Sequence, residues 1–206
     1  LGCSAREVRL FEGSRRTISG FIEVSGGRPL RWGERSRRVV IHGGGWGLGT
    51  YREKVRDLND RGVALDAVAY FDQDLAPLGN QRNHVYMIDP EWRAWQRTAD
   101  GDHEFPPFGE VEGEGVPVFE RSRRVPHLFA MSRRDWAIVS KPGGSTLNDS
   151  LAAATPLVLL EPYGDHERVN ADLWVAHGLG IRFDAWLAQG CPEEPLAQAH
   201  EKLVRL

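Results

Sequence analysis

The sequence predicts an α/β fold: a Rossmann-like, mostly parallel sheet with helices on both faces. Three observations predict it. From Arg38 onward, short apolar runs alternate with stretches of helical spacing. Two of those runs close in glycine turns, Gly43-Gly-Gly-Trp-Gly-Leu-Gly49 and Lys141-Pro-Gly-Gly-Ser-Thr146, and each turn opens into a helical pattern. A polar cluster, Asp165-His-Glu-Arg168, falls just after a further apolar run. In a parallel sheet all three segments lie at the carboxyl ends of strands, where ligands bind.

The elements follow in order. Residues 1–37 mix apolar snatches (Val8-Arg-Leu-Phe11, Ile18-Ser-Gly-Phe-Ile22) with Gly and Arg, and Gly26-Gly-Arg-Pro29 is a turn signal. This part reads as a linker segment, not as an independent domain. Arg38-Val-Val-Ile-His42 is a buried-type strand, after which Thr50 is placed to cap a helix carrying Tyr51, Val55 and Leu58 on one face and ended by Gly62. Leu65 to Phe71 is the next strand, so a parallel pair with a right-handed crossover is expected.

His84-Val-Tyr-Met-Ile88 reads as a strand, residues 90–97 as one or two helical turns, and residues 100–115 as an acidic Gly/Pro-rich loop with one strand. Residues 126–133 have helical propensity. Then come strand 136–140, helix 146–154, strand 156–160, helix 170–177 ended by Gly178, and a final amphipathic helix over 195–206. No second core of comparable size follows residue 37, so residues 38–206 are read as one domain.

Composition bounds the function. The 206 residues suit one large domain or two small ones, and 41% hydrophobic with 27% charged is the balance of a soluble globular protein. A net charge of −3 gives no general pull toward nucleic acid, and the runs Arg35-Ser-Arg-Arg38 and Arg121-Ser-Arg-Arg124 are short and offset by acids. Cys3 and Cys191 lack metal-ligand spacing and fit a reducing compartment. No apolar run approaches the ~20 residues of a membrane helix, and no secretory signal is visible. A cytoplasmic location is expected. The chain begins at Leu1, which suggests a processed product or the back part of a longer protein.

The first glycine loop can lay backbone N–H groups around an anion, with Gly44 and Gly45 at its centre, or it can simply be a tight βα turn. Its spacing supplies neither G-x-G-x-x-G nor GxxxxGK[ST]. His42 ends the preceding strand; a lone histidine there reads as structural first, and as the in-chain candidate for a catalytic base second. The second loop is the stronger signal. Gly143 and Gly144 let backbone approach a ligand closely, and Ser145 and Thr146 add hydroxyls at a helix start, where the dipole is positive.

Asp149 falls one turn into that helix, where a carboxylate can accept from two vicinal hydroxyls or complement the dipole. Asp165, His166 and Glu167 suit sugar hydroxyls, or form an ordinary helix cap. Trp92, Trp95, Phe105 and Phe108 read as core or loop anchors, or as an acceptor surface. The seven histidines show no metal spacing, and no G-x-S-x-G turn occurs.

These segments resemble the C-terminal, nucleotide-sugar-binding half of a GT-B glycosyltransferase, in the branch containing MurG and the diacylglycerol glycosyltransferases. The resemblance rests on Asp135-Trp-Ala-Ile-Val-Ser-Lys-Pro-Gly-Gly-Ser-Thr146, Leu151-Ala-Ala-Ala-Thr-Pro156, Asp165-His-Glu-Arg-Val-Asn-Ala171 and Gly178-Leu-Gly180. It implies that Gly143, Gly144, Ser145 and Thr146, with Gly44 and Gly45, hold a donor diphosphate. It implies Asp149 at the ribose, where the family usually has glutamate, and the backbone at Val125 against the base. It implies Asp165, His166 and Glu167 at the donor sugar; the histidine departs from the family's usual residues.

The implied activity is hexosyl transfer with inversion from a UDP-linked sugar to a small-molecule or lipid acceptor, with no metal and no cofactor. A lipid acceptor would suit a place at the inner face of the membrane. The implied acceptor domain precedes the donor domain, so residues 1–37 would be its remnant, and the missing half would be supplied in cis or by a partner chain. Two other classes stay open: an NAD(P)-dependent oxidoreductase or nucleotide-sugar epimerase, with Asp72 as the acid after the second strand, and a non-catalytic subunit that keeps the fold.

Overall fold

The structure is a computed structural model that describes residues 10–12, 17–24, 27–112 and 117–206. Cys3, Val8, Gly26 and residues 113–115 lie outside the described residues. In chain order the elements are β1 (Phe11–Glu12), β2 (Thr17–Ile18), β3 (Ser36–Ile41), α1 (Tyr51–Asp60), β4 (Ala64–Ala69), α2 (Leu75–Leu78), β5 (His84–Ile88) and β6 (Phe108–Glu110). There follow α3 (His127–Arg134), β7 (Asp135–Ser140), α4 (Gly144–Ala153), β8 (Leu157–Leu159), α5 (Asp165–His177), β9 (Gly180–Arg182), α6 (Phe183–Ala188) and α7 (Glu194–Leu203).

Strands β3 to β9 form one seven-stranded sheet in the order β6-β5-β4-β3-β7-β8-β9. Every pairing is parallel except β5–β6, which is antiparallel at the edge. The chain enters at the central strand β3, steps outward through β4 and β5, then returns to the other side of β3 with β7. The strand order reverses between β3 and β7, so the crevice above their carboxyl ends is the topological switch point.

Continuous apolar runs produce this sheet. Val39-Val-Ile41, Ala67-Val-Ala69 and Ala137-Ile-Val139 are buried on both faces, as parallel strands covered by helices must be. The core is closed on one side by Trp174, which is fully buried, donates to Ser150 Oγ at 3.2 Å and takes the edge of Phe11 on its ring.

Several expectations are corrected. The polar cluster at 165–168 is the first turn of α5, so that helix starts at Asp165 with Gly164 as its N-cap. Its first turn lacks apolar spacing, which hid it. Residues 90–97 form turns and no helix. Thr50 is the N-cap of α1 as expected but gives no side-chain cap; its hydroxyl donates to Glu161 instead. The short elements α2, β9 and α6 were not foreseen.

Described residues before 38 make contacts with the sheet and its helices. Strand β3 begins at Ser36. Trp32 stacks on Trp136 at 5.2 Å and donates from Nε1 to Glu193 at 2.8 Å. Ile22 exchanges two backbone hydrogen bonds with the Asn148 side chain on α4, at 2.7 and 3.0 Å.

Candidate functional site

The two glycine turns lie side by side at the switch point because β3 and β7 are neighbours. The first turn is tightly folded. Leu48 N–H donates to the Gly43 carbonyl at 2.9 Å, and Gly44, Gly47 and Gly49 hold φ of +72°, +64° and +99°, a region L side chains rarely adopt. Tyr70, from the end of β4, donates its hydroxyl to the Gly44 carbonyl. Gly44 N–H donates in turn to His42 Nδ1 at 3.0 Å, so this amide is already satisfied inside the loop.

The second turn ends at an uncapped helix. Gly143 is the N-cap of α4 and provides no side-chain cap, while Leu147 N–H is the first to close back, onto the Gly143 carbonyl at 3.0 Å. The N–H groups of Gly144, Ser145 and Thr146 are therefore the orphan donors of this helix start, directed along its positive end. The loop is held from below by Gly143 N–H on the Lys141 carbonyl (2.8 Å) and from the side by Asn170 Nδ2 on the Pro142 carbonyl (3.0 Å).

Between the turns is a cavity of about 170 Å³ whose wall includes His42, Gly44, Gly45, Ser145, Thr146 and Asp149. Six of the residues singled out from the sequence thus share one lining. The volume is small beside the 300–1,000 Å³ of a whole ligand pocket, so it suits part of a ligand. A larger depression of about 740 Å³ lies between α3 and the β5–β6 edge, lined by Tyr86, Glu110, Glu120 and Arg134 among others. No residue of the glycine turns lines it, so the smaller cavity is taken as the candidate site.

His42 is 2% exposed. Burial, with the nearby Lys141 charge, pushes its imidazole down to about 4. With Nδ1 accepting from Gly44, the neutral ring carries its proton on Nε2. It is therefore a hydrogen-bond donor at the cavity wall, and a weak base.

Asp149 has no hydrogen-bond or ionic partner among the described residues, and burial raises its carboxyl to about 7. Folded Asp149 holds its proton up to about pH 7, while the unfolded chain gives it up near pH ~4. Rising pH across that window therefore favours the unfolded chain. Asp149→Asn is expected to be more stable than the parent at pH 8 by about 2 kcal/mol, allowing for residual solvent contact, with the gain vanishing toward acid pH. His42 acts with the opposite sign over much of the same range, so the variant-minus-parent difference isolates Asp149. Urea unfolding at several pH values measures it; a difference that does not grow with pH would refute the assignment.

The third cluster divides. Asp165 and His166 are exposed on the first turn of α5, with Asp165 paired to Arg168 at 2.7 Å. Glu167 turns inward and is 3% exposed. Its Oε1 takes Lys141 Nζ at 2.5 Å and its Oε2 takes Tyr163 N–H at 2.7 Å. None of these three lines the cavity. Val125 lies in a local turn, its carbonyl accepting from Ser122 Oγ at 2.7 Å, and the residues that follow it, Pro126 and His127, line the cavity. Sequence reasoning missed Lys141 and Tyr70. Lys141 was quoted within the motif, but its pairing with Glu167 spans two elements and leaves no local signal.

Among the described residues no group of three or more His, Cys, Asp or Glu side chains could hold a metal ion, and no helix is long and apolar enough to cross a membrane.

The sheet order and its helices are those of one Rossmann-like half of the GT-B glycosyltransferase fold. Among solved structures the chain is similar to the MurG of Acinetobacter baumannii, at 12% identity and a TM-score of 0.55, covering 92% of this chain and 52% of that one. It is also similar to the glycosyltransferase SnogD from Streptomyces nogalater (18% identity, TM-score 0.46, 94% of this chain and 47% of that one). A third neighbour is UGT2 of Phytolacca americana, solved with UDP-2fluoro-glucose and pterostilbene (12% identity, TM-score 0.48, 82% and 36%). The chain spans about half the length of these structures or less. No family model matches it, and no curated protein does. The likeness is one of fold.

Proposed function

We propose that this chain is the donor-binding half of an inverting, metal-independent glycosyltransferase that uses a UDP-linked sugar. One observation carries the reading. At the switch point, the uncapped N-terminus of α4 and an unpartnered, half-buried Asp149 open on one cavity. Such a helix start is built for an anion, and a lone carboxylate one turn on is placed for a diol. The diphosphate takes the N–H groups of Gly144, Ser145 and Thr146, with Gly143 and Gly45 beside it and His42 Nε2–H donating from the opposite wall. The leaving charge is then met by fixed dipoles. Asp149 takes the ribose, Val125 backbone the base, and Asp165 and His166 the sugar.

The acceptor and its half of the cleft lie elsewhere, in cis or on a partner chain. Exposed apolar side chains support such a partner. Trp46 and Leu48 follow β3, Phe71 follows β4, Trp95 follows β5 and Tyr163 follows β8; all are exposed, Trp46 by 77%. These loops follow strands at the end of the sheet that carries the cavity, and exposed apolar side chains there suit an interaction surface.

Calorimetric titration with UDP, and with TDP and NADH in parallel, tests the reading. Micromolar UDP binding is expected, weakened about tenfold or more in Asp149→Ala, the loss of one or two hydrogen bonds to a charged group. NADH binding without UDP binding would overturn it in favour of an oxidoreductase.

A further inference from the structure

A charged pair, Lys141 with Glu167, stands beside the two glycine turns and has no role in the proposed function. Lys141 follows β7 directly and leads into the second glycine turn. Its side chain is 17% exposed and runs between the two turns. A Cβ built on Gly44 would meet Lys141 Cε at 3.4 Å and Nζ at 3.7 Å; one on Gly143 would meet Nζ at 3.5 Å; one on Gly49 would meet Cδ at 3.7 Å. The ammonium therefore lies against backbone of both loops, beside the orphan amides of α4, and its charge reaches His42.

We propose that Lys141 is the cation that takes the charge of a bound nucleoside diphosphate, and that Glu167 is a positioning residue that holds the ammonium between the two glycine turns. The inference rests on the donor-site reading. Three features of the geometry carry it. Glu167 spends one oxygen on Lys141 and the other on Tyr163 N–H, so it is a fixed counter-ion and not an open sugar contact. An ammonium has three donors, and Glu167 is its one partner among the described residues, so two remain for phosphate oxygens. The cavity wall also carries His42, 2% exposed, whose Nε2 has no protein partner among the described residues and which adds a neutral donor to the same ligand. A point charge held beside helix-terminal amides is a phosphate-binding arrangement. A phosphate entering there takes the two N–H donors that Glu167 leaves free, and its charge is met by the ammonium together with the helix-terminal amides.

The test compares UDP with uridine, which lacks the phosphates, on the parent chain and on K141R, E167Q and the double variant K141M/E167Q, by calorimetry and ligand-observed NMR at two salt concentrations. The double variant removes both charges together, so no buried carboxylate is left alone, and thermal unfolding checks that it folds. UDP affinity is expected to fall about 10- to 100-fold in K141M/E167Q, the loss of a charge-assisted contact, with uridine affinity unchanged and the salt dependence of UDP binding reduced. K141R should recover most of the affinity. E167Q should lose about threefold to tenfold for UDP and nothing for uridine, which a merely structural role would not separate. Parent-level UDP affinity in K141M/E167Q, or equal losses for UDP and uridine, would overturn the inference and leave the donor-site reading standing. No UDP binding by the parent would sink both.

Discussion

Replacing Arg35 by alanine is expected to lower the unfolding free energy by about 3–5 kcal/mol, the cost of losing a buried guanidinium whose hydrogen bonds tie several segments together. Arg35 is 5% exposed. Its Nη1 donates to the Asp135 carbonyl at 3.0 Å and to Thr155 Oγ1 at 2.7 Å; its Nη2 donates to the Ala153 and Ala154 carbonyls at 2.6 and 3.3 Å; its Nε donates to the Leu30 carbonyl at 3.3 Å. Burial pulls the guanidinium down to about 10, offset in part by Asp135, so it stays charged at neutral pH. Ala153 and Ala154 end α4, where unpaired carbonyls gather and a cation is favourable. Alanine would strip the guanidinium's donors from these carbonyls, leaving Ala153 O with only a long contact from Thr155 Oγ1 at 3.3 Å and Ala154 O with His200 Nδ1 at 2.7 Å. Lysine, a point charge with three donors on a flexible stem, cannot serve five acceptors and should recover less than half of the loss. Urea denaturation measures both variants; a loss under about 1 kcal/mol for Arg35→Ala would refute the network's role. The consequence for the site is direct, since the helix held at its rear by Arg35 presents its N-terminus to the cavity.

Arg35 also shows where sequence reasoning ended. The βα alternation was legible because parallel strands buried on both faces are unbroken apolar runs, and β5 was bounded correctly at His84 and Ile88. The turn at 143–146 was legible because two glycines at a strand end have few other uses. By contrast, the contacts made by described residues before 38 were not legible, because side chains there, Arg35 above all, satisfy partners a hundred or more positions away, and no local pattern records that. The three-residue strand β9 has only half-buried positions, Gly180, Ile181 and Arg182, and so no alternation to read. The pairing of Lys141 with Glu167 failed to appear for the same reason as the Arg35 network. A sequence shows that charges exist, and only the packing of α5 on the β7 turn shows which of them meet.

Gly43→Ala is expected to abolish measurable nucleotide binding and to cost about 1–3 kcal/mol of stability, the range for a side chain forced into filled space. The cause is contact and not conformation, since Gly43 has φ −91°, which alanine adopts freely. A Cβ there would lie 2.5 Å from Gly47 C, 2.7 Å from Gly47 Cα and 2.7 Å from Tyr51 Cε1. Two of these are backbone atoms and the third belongs to a fully buried ring, so none can yield cheaply. The turn must open, which breaks the Leu48-to-Gly43 hydrogen bond and moves Gly44 away from His42 Nδ1. His42 then loses the contact that fixes its tautomer, and Lys141 loses the glycine backbone against which it lies. Gly45→Ala is the control: its Cβ meets nothing within 4 Å and its φ is not positive, so it should keep the parent's stability. Thermal unfolding and UDP titration of the two variants separate the cases. If Gly43→Ala matches Gly45→Ala in both, the close approach within the first turn does not shape the site, and the cavity between β3 and β7 must owe its form to the α4 side alone.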